Sequence, residues 1–360
     1  MTADPSYFLF SSSRNNYVEK TADFLAALLN KGVVEAVAVP CWSAGRPPSY
    51  MIVANPLELA NADPFAPVML RNAADLLAEF TRQGLPRPVA VVVRSCEMRA
   101  LIELVKLKQA HLENILLIGA DCLGTVPIKK LKECGTSFTL KVMANPLPVD
   151  ELRHACRLCG LRAPMGGDIV LCALGVDINN DPVVLGRTEK GKEVLAGLGL
   201  KEGQKPEKRD EKLARLEKEA TELLADTSAI DLLSLLNRCM RCYNCRDMCP
   251  ICYCPECFFT SAKLGYNSTR YLEWAKRKGS LSLPTDVLLF HITRMNHMLT
   301  SCVGCGICEA ACPNDIPLGR IYGVLRKQVQ QLFDYEAGRS LDEPLPMAVF
   351  TENELHQVEE

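Results

Sequence analysis

The chain is poor in the features that would make a protein basic, membrane-bound or exported. Its 41 Lys and Arg nearly balance 43 Asp and Glu, for a net charge of −2. That supplies no positive field for nucleic acid or an anionic lipid surface. No run approaches the ~20 apolar residues that cross a bilayer. The longest apolar stretches, such as Val89–Val93, are short and β-branched, and read as buried strands. The opening MTADPSYFLFSSSRNNYVEK lacks the charged-then-apolar order of a secretory signal. No serine or cysteine nucleophile motif, paired-carboxylate site or P-loop stands in a supporting context. Gly197-Leu198-Gly199 falls in a polar stretch, which argues against a dinucleotide fingerprint there. With 48% hydrophobic and 23% charged residues in a chain of 360, the composition fits an ordinary globular protein of two or three domains.

Cysteine breaks this plainness: there are 18. Disulfides explain such numbers in short secreted chains, whereas Cys-x2-Cys runs in a long chain without an export signal point to metal. The same reasoning places the protein in the cytoplasm, in an anaerobic or microaerobic setting. Two runs read as complete ferredoxin signatures. One is Cys239-x2-Cys242-x2-Cys245-x3-Cys249-Pro250 and the other is Cys302-x2-Cys305-x2-Cys308-x3-Cys312-Pro313. In such runs three cysteines wrap one side of a 4Fe-4S cube and the fourth, before proline, turns to the other cluster. One cluster is therefore assigned to Cys239, Cys242, Cys245 and Cys312, and the other to Cys302, Cys305, Cys308 and Cys249. Gly304 and Gly306 let the backbone fold close to the sulfurs. Structural zinc also uses Cys-x2-Cys pairs, but it wants two pairs rather than two four-cysteine runs closed by Cys-Pro. A third group, Cys252, Cys254 and Cys257, lacks a fourth ligand. Cys41, Cys134, Cys172 or a partner chain would have to supply one for a further cluster. Spare thiols, or ligands that alter the pairing above, are the other readings.

Residues 1–185 alternate helical and strand patterns, which predicts an α/β domain with a mostly parallel sheet. Helices are expected over Thr21–Asn30, Ala73–Gln83 and Glu97–Lys108, and strands over Val33–Pro40, Val89–Val93 and Asn114–Gly119. Cys96 and Cys122 fall just beyond strand ends, where ligands of such sheets gather. Residues 186–226 are Lys- and Glu-rich and read as a charged helical linker, with helical spacing over Asp210–Leu224 and a boundary near Asp226. Residues 227–335 hold both cysteine runs, separated by the 52 residues 250–301. Helices over Asp231–Arg238, Pro284–Leu299 and Leu318–Phe333 predict an all-helical dicluster ferredoxin domain. Residues 336–360 read as an acidic tail, either loosely ordered or an arm docking on a partner.

The first domain resembles the beta subunits of coenzyme F-420-reducing hydrogenase and F-420-dependent formate dehydrogenase, from about Val18 to Leu224. The carriers are LLNKGVVEAVAV, VVVRSCEMRAL, NILLIGADCLG, HACRLCG followed by GDIVLCALG, and GRTEKGKEVL. The resemblance implies a flavin adenine dinucleotide (FAD) beside one 4Fe-4S cluster held by Cys96, Cys122, Cys156 and Cys159. Residues alone give Cys156-x2-Cys159 as a metal-spaced pair and leave Cys96 and Cys122 as buried thiols. The chain departs from the family where its members open the first helix with Gly-Gly, since Val18-Glu19 stands here. It departs again at Pro64-Phe65-Ala66-Pro67, in place of a Lys-Tyr stretch. The second domain resembles helical ferredoxins of heterodisulfide reductase and fumarate reductase iron–sulfur subunits, through FHITRMNHMLTSCVGCGICEAACPNDIP. His291, Arg294 and His297 lie three apart on one helix there, as groups that tune the cluster through bonds to sulfur or that face a partner.

These expectations converge on a flavin and iron–sulfur electron-transfer subunit of a larger oxidoreductase, of hydrogenase, formate dehydrogenase or heterodisulfide-reductase type. Hydride chemistry at FAD would be converted there into one-electron traffic through 4Fe-4S clusters. The electron donor would be F-420 or NAD(P)H. The missing Gly-Gly favours a flavin-free iron–sulfur conduit as the alternative. A metal-dependent regulator would need a DNA-reading element that the charge balance does not supply.

Overall fold

In a computed structural model the described residues are 5–131, 133–225, 232–261, 268–279 and 287–349. The predicted boundary near Asp226 and the tail beyond 349 lie outside them, as do the starts of the helices predicted from Asp231 and Pro284. Among the described residues no helix is long and apolar enough to cross a membrane.

Eight strands form one sheet: β1 (Ser6–Leu9), β2 (Ala36–Ser43), β3 (Arg46–Val53), β4 (Val89–Arg94), β5 (Ile115–Ala120), β6 (Ile169–Leu171), β7 (Val183–Gly186) and β8 (Lys201–Gly203). Their order is β3-β2-β4-β5-β6-β7-β1-β8. The middle four, β2, β4, β5 and β6, run parallel. Antiparallel strands flank them on both sides. The sheet is thus α/β as expected, but mixed. Hairpin return is short and local, as in β2 to β3, and apolar patterning does not encode strand direction.

Helices pack on both faces: α1 (Tyr17–Asn30), α2 (Ala73–Thr81), α3 (Ser95–Lys106), α4 (Thr136–Ala144), α5 (His154–Arg157), α6 (Glu189–Gly197) and α7 (Arg209–Ala225). Their starts follow from caps. Asn16 accepts from the Glu19 N–H at 2.9 Å, which sets α1 four residues earlier than its apolar spacing suggests. Asn72 caps α2 in the same way. At β4 the chain passes directly from strand to helix, because the Glu97 carboxylate takes the Arg94 N–H at 2.9 Å and closes the first turn of α3. Residues 186–226, predicted as a linker, contribute more than a surface helix. They hold α6, the edge strand β8 and α7. Arg209 pins α7 to the sheet through the buried carboxylate of Asp121, just past β5.

The second half is helical: α8 (Leu232–Leu236), α9 (Asn244–Asp247), α10 (Ser268–Lys278), α11 (Val287–Met298), α12 (Ile307–Ala310) and α13 (Leu318–Leu332). It shares a core with the sheet. Val89, Val91, Val93, Ile115 and Leu117 face α3 on one side of the sheet, in one buried cluster with Leu101, Leu104, Phe290, Met298, Ile321 and Tyr335. The alternate residues Ala90, Val92, Leu116 and Ile118 pack under α1 on the other side. Residues 336–338, predicted as the start of a tail, are part of this join. Arg99 of α3, 2% exposed, donates to Ala337 O at 2.8 Å and to Val303 O at 3.3 Å, and pairs with Glu336. Glu103 accepts from the Gly338 N–H at 2.8 Å and from the Tyr335 hydroxyl.

Candidate functional site

The parallel strands deliver one group of thiols to the carboxyl edge of the sheet. Cys96 sits in the first turn of α3, directly after β4, and Cys122 lies two residues past β5. Cys156 is in α5 and Cys159 follows it. All four line a single cavity with Thr125, Arg153, Arg162 and, from the helical half, Gly304 and Cys305. The space between atoms there is about 390 Å³. The Cys122 N–H donates to Arg162 O at 2.9 Å, and the Gly124 N–H reaches Cys122 Sγ at 3.4 Å. Thr125 Oγ1 lies 3.1 Å from Cys156 Sγ. Burial pushes the Cys122 thiol up to about 11, and raises Cys96 and Cys159 as well. At Cys156 burial also acts upward, but Arg153 and the Thr125 hydroxyl outweigh it and hold the thiol below its ordinary value.

Cys239, Cys242, Cys245 and Cys312 line a second cavity, of about 330 Å³, with Tyr243, Phe290, His291 and Leu318. Two residues of α11 reach its sulfurs. His291 Nε2 is 3.4 Å from Cys239 Sγ, and Arg294 Nη1 donates to Cys245 Sγ at 3.2 Å. Burial, aided by Arg294, pushes His291 down to about 4, so the ring is neutral at ordinary pH. His297, the third member of the predicted row, is exposed.

The remaining motif cysteines lie between these two cavities. Cys308 is within electrostatic reach of Cys305 and Cys302, and also of Cys245 in the second cavity. Cys249 is within reach of Cys252 and Cys305. Cys305 in turn lines the first cavity. Four of the twelve predicted ligands thus line the first cavity together with Cys305, and four line the second.

The third cysteine group is dispersed. Cys252 turns inward, its Sγ 2.8 Å from Met298 Sδ and beside Cys249, whose thiol, with Arg294, draws it down to about 6. Cys254 is exposed and Cys257 half-buried. Cys41, on β2, and Cys172, one residue past β6, are buried and direct their thiols to backbone carbonyls, and Cys134 is exposed.

Both motifs use left-handed backbone at matching places. Gly304 and Gly306 have φ of +70° and +67°, and Arg241 and Tyr243 take the same turn at +57° and +60°. Glycine is required at Gly306, where a Cβ would sit 2.2 Å from the Ala155 Cβ, whereas a Cβ on Gly304 would meet only the Arg326 guanidinium, 2.7 Å from Nε.

The donor set fits anionic clusters. Buried guanidinium nitrogens without a partner among the described residues stand around the thiols: Arg153 Nη1, Arg162 Nε, Arg294 Nε and Arg326 Nε. A buried orphan donor is costly unless something absent from the protein atoms accepts from it. Among the described residues no three His, Cys, Asp or Glu close tightly enough to hold a single metal ion. Spread thiols around a cubane meet the first requirement without the second.

A larger, more open cleft adjoins the first cavity and shares Arg162 with it. Apolar Leu123, Val176 and Ile178, the cationic Lys208, Lys212 and Arg215 and the acidic Asp177, Glu211 and Glu219 line it. Beside α1, where the resembling family carries Gly-Gly, Val18 is fully buried and Tyr17 packs 6.1 Å from Phe65, ring to ring.

The sequence did not point to Arg99, Thr125, Arg153, Arg162 or Arg326. Arginine beside cysteine is a weak signal, since most arginines are solvated.

Residues 235–316 match the family described as a 4Fe-4S dicluster domain. The chain is similar to the F420-dependent formate dehydrogenase subunit beta of Methanocaldococcus jannaschii, at 27% identity over 76% of this chain and 79% of that protein. It is similar to the F420-dependent formate dehydrogenase 1 subunit beta of Methanococcus maripaludis, also at 27%, over 72% and 75%. A chain of the F420-reducing NiFe hydrogenase complex from Methanosarcina barkeri shares 12% identity, with a TM-score of 0.46 over 62% of this chain and 92% of that one. That last likeness is too slight to carry an inference.

Proposed function

We propose that the chain is an iron–sulfur electron-transfer subunit of an oxidoreductase complex, with three 4Fe-4S sites in a row. Cys96, Cys122, Cys156 and Cys159 would hold the first. Cys302, Cys305, Cys308 and Cys249 would hold the middle one, and Cys239, Cys242, Cys245 and Cys312 the last. The observation that carries this reading is Cys305, a residue of the dicluster domain on the wall of the N-terminal thiol cavity. It would bring the middle site next to the N-terminal one. Bound at these positions, clusters supply one-electron storage, and a flavin in the adjoining cleft would exchange hydride for single electrons. The protein's own part is to hold the thiols, exclude water and set potentials. Buried arginines offset the charge of each site, and apolar residues such as Phe290 and Ile316 shield the last.

The curated relatives are beta subunits of formate dehydrogenases described as F420-dependent. This chain is read likewise as one subunit of a larger redox assembly of formate dehydrogenase, hydrogenase or heterodisulfide-reductase type, in the cytoplasm, with F420 or NAD(P)H as hydride partner. A flavin-free conduit is the second reading, favoured by Val18, Tyr17 and Phe65, which fill the region beside α1.

Iron, sulfide and acid-extractable flavin, measured on anaerobically purified protein, test both readings. About 12 irons per chain are expected, with flavin near one equivalent on the first reading and none on the second. A preparation with about 8 irons would remove the N-terminal site, and a colourless zinc protein would end the electron-transfer reading.

A further inference from the structure

One side chain belongs to two of the proposed sites at once. Arg153, 7% exposed, stands just before α5. Its backbone N–H donates to Thr125 O at 2.9 Å, and its Nε donates to Thr125 Oγ1 at 2.7 Å. That fixes the root of the guanidinium beside the oxygen that also touches Cys156 Sγ. Nη2 then spans the junction. It lies 3.3 Å from Cys305 O, 3.5 Å from Met69 Sδ and 3.9 Å from Cys156 Sγ. Nη1 is buried with no partner among the described residues.

A buried cation is costly unless charge of opposite sign is close. The groups that favour charge on Arg153 are the thiol sulfurs of Cys156, Cys96 and Cys305. Two of these are predicted ligands of the N-terminal site, and the third belongs to the middle site. Pinning the loop would be complete with Thr125 and Cys305 O alone. It accounts neither for a full charge at this depth nor for a donor left open on the cavity wall.

We propose that Arg153 is a redox-tuning residue that serves the N-terminal and middle cluster sites together. The proposal rests on the three-site reading above. One electron would pass between the N-terminal and middle sites; the donating site would be oxidised by one unit, the accepting site reduced by one, and no bond or proton need change. The other redox groups of the complex would supply the electron and take it up. A fixed positive charge between the sites stabilises an added electron in either. Arg153 therefore raises both potentials.

The test is an EPR-monitored redox titration of the full-length protein, prepared anaerobically, with iron counted on each sample. Wild type is compared with Arg153→Met, Arg153→Lys and Thr125→Val. In Arg153→Met both sites titrate at lower potential, with iron retained. Arg153→Lys lies between that variant and wild type, because it keeps the charge without the fork. Thr125→Val keeps the charge but loosens its anchor, so it shifts the titration less than Arg153→Met. Full iron with unshifted potentials in Arg153→Met overturns the proposal. So does equal loss of N-terminal iron in Arg153→Met and Arg153→Lys while Thr125→Val titrates like wild type, since Arg153 is then only a structural pin. A wild-type chain with about 8 irons refutes the three-site reading itself, before any variant is compared.

Discussion

At the scale of single residues, the two ferredoxin signatures solve one problem in two ways. Each needs two left-handed residues to bring backbone around its sulfurs. In the first run Arg241 and Tyr243 accept that conformation, at a cost of about 1–3 kcal/mol each. In the second run Gly306 faces Ala155 of the N-terminal domain, where only glycine leaves room, and Gly304 faces the Arg326 guanidinium. Gly306→Ala is therefore expected to destabilise the protein by about 1–3 kcal/mol and to loosen the contact of α12 with α5. Thermal melting and iron content measure this. An unchanged melting temperature would mean that Ala155 does not press on the motif. The glycines were visible in the sequence, and the sequence reading gave them a role near sulfur. That Gly306 also shapes the seam between the two halves was not visible, because Ala155 lies about 150 residues away in the chain.

At the scale of elements, helix starts and strand ends do the positioning. β4 and β5 end side by side, and the turns after them place Cys96 and Cys122 at one edge. α7 closes that edge from outside. Its anchor is Arg209, which forms a two-pronged pair with Asp121, and Asp121 also accepts from the Ala173 and Leu174 N–H groups at 2.8 and 2.9 Å. Arg209→Ala leaves a buried carboxylate without its cation, and should cost about 3–5 kcal/mol. A denaturant titration should find the midpoint lowered with the slope unchanged. A loss under about 1 kcal/mol would mean that the pair behaves like a surface one. α7 was legible as a helix over Asp210–Leu224, but β8 was not. Three residues of Lys-Glu-Gly carry no strand pattern, and the strand exists because the open edge of β1 is there to pair with.

At the scale of the whole molecule, the two halves are not beads on a string. Motif cysteines, α11 and α13 pack in the same buried cluster as one face of the sheet. The segment 335–338 is tied to α3 through Arg99, Glu103 and Lys106. Iron removal should therefore disturb both halves. Oxidative removal with a chelator, followed by calorimetry, is expected to show one transition shifted down or lost. A sheet domain that melts at its original temperature after iron is gone would show that the shared core does not couple the halves.

The sequence by itself determined the metal chemistry and the order of the parts. Ligand spacing is a local property: four cysteines within eleven positions carry their geometry with them. Apolar periodicity likewise located α1 to α3, β4 and β5 to within a few residues, because it depends only on near neighbours. Tertiary structure alone decided that Cys96 and Cys122 meet Cys156 and Cys159, which spacing could not say and only resemblance suggested. It alone decided strand direction at the sheet edges, and it selected which arginines are buried among thiols. These features depend on residues far apart in the chain, and a charge is driven inside only by what the fold brings to meet it.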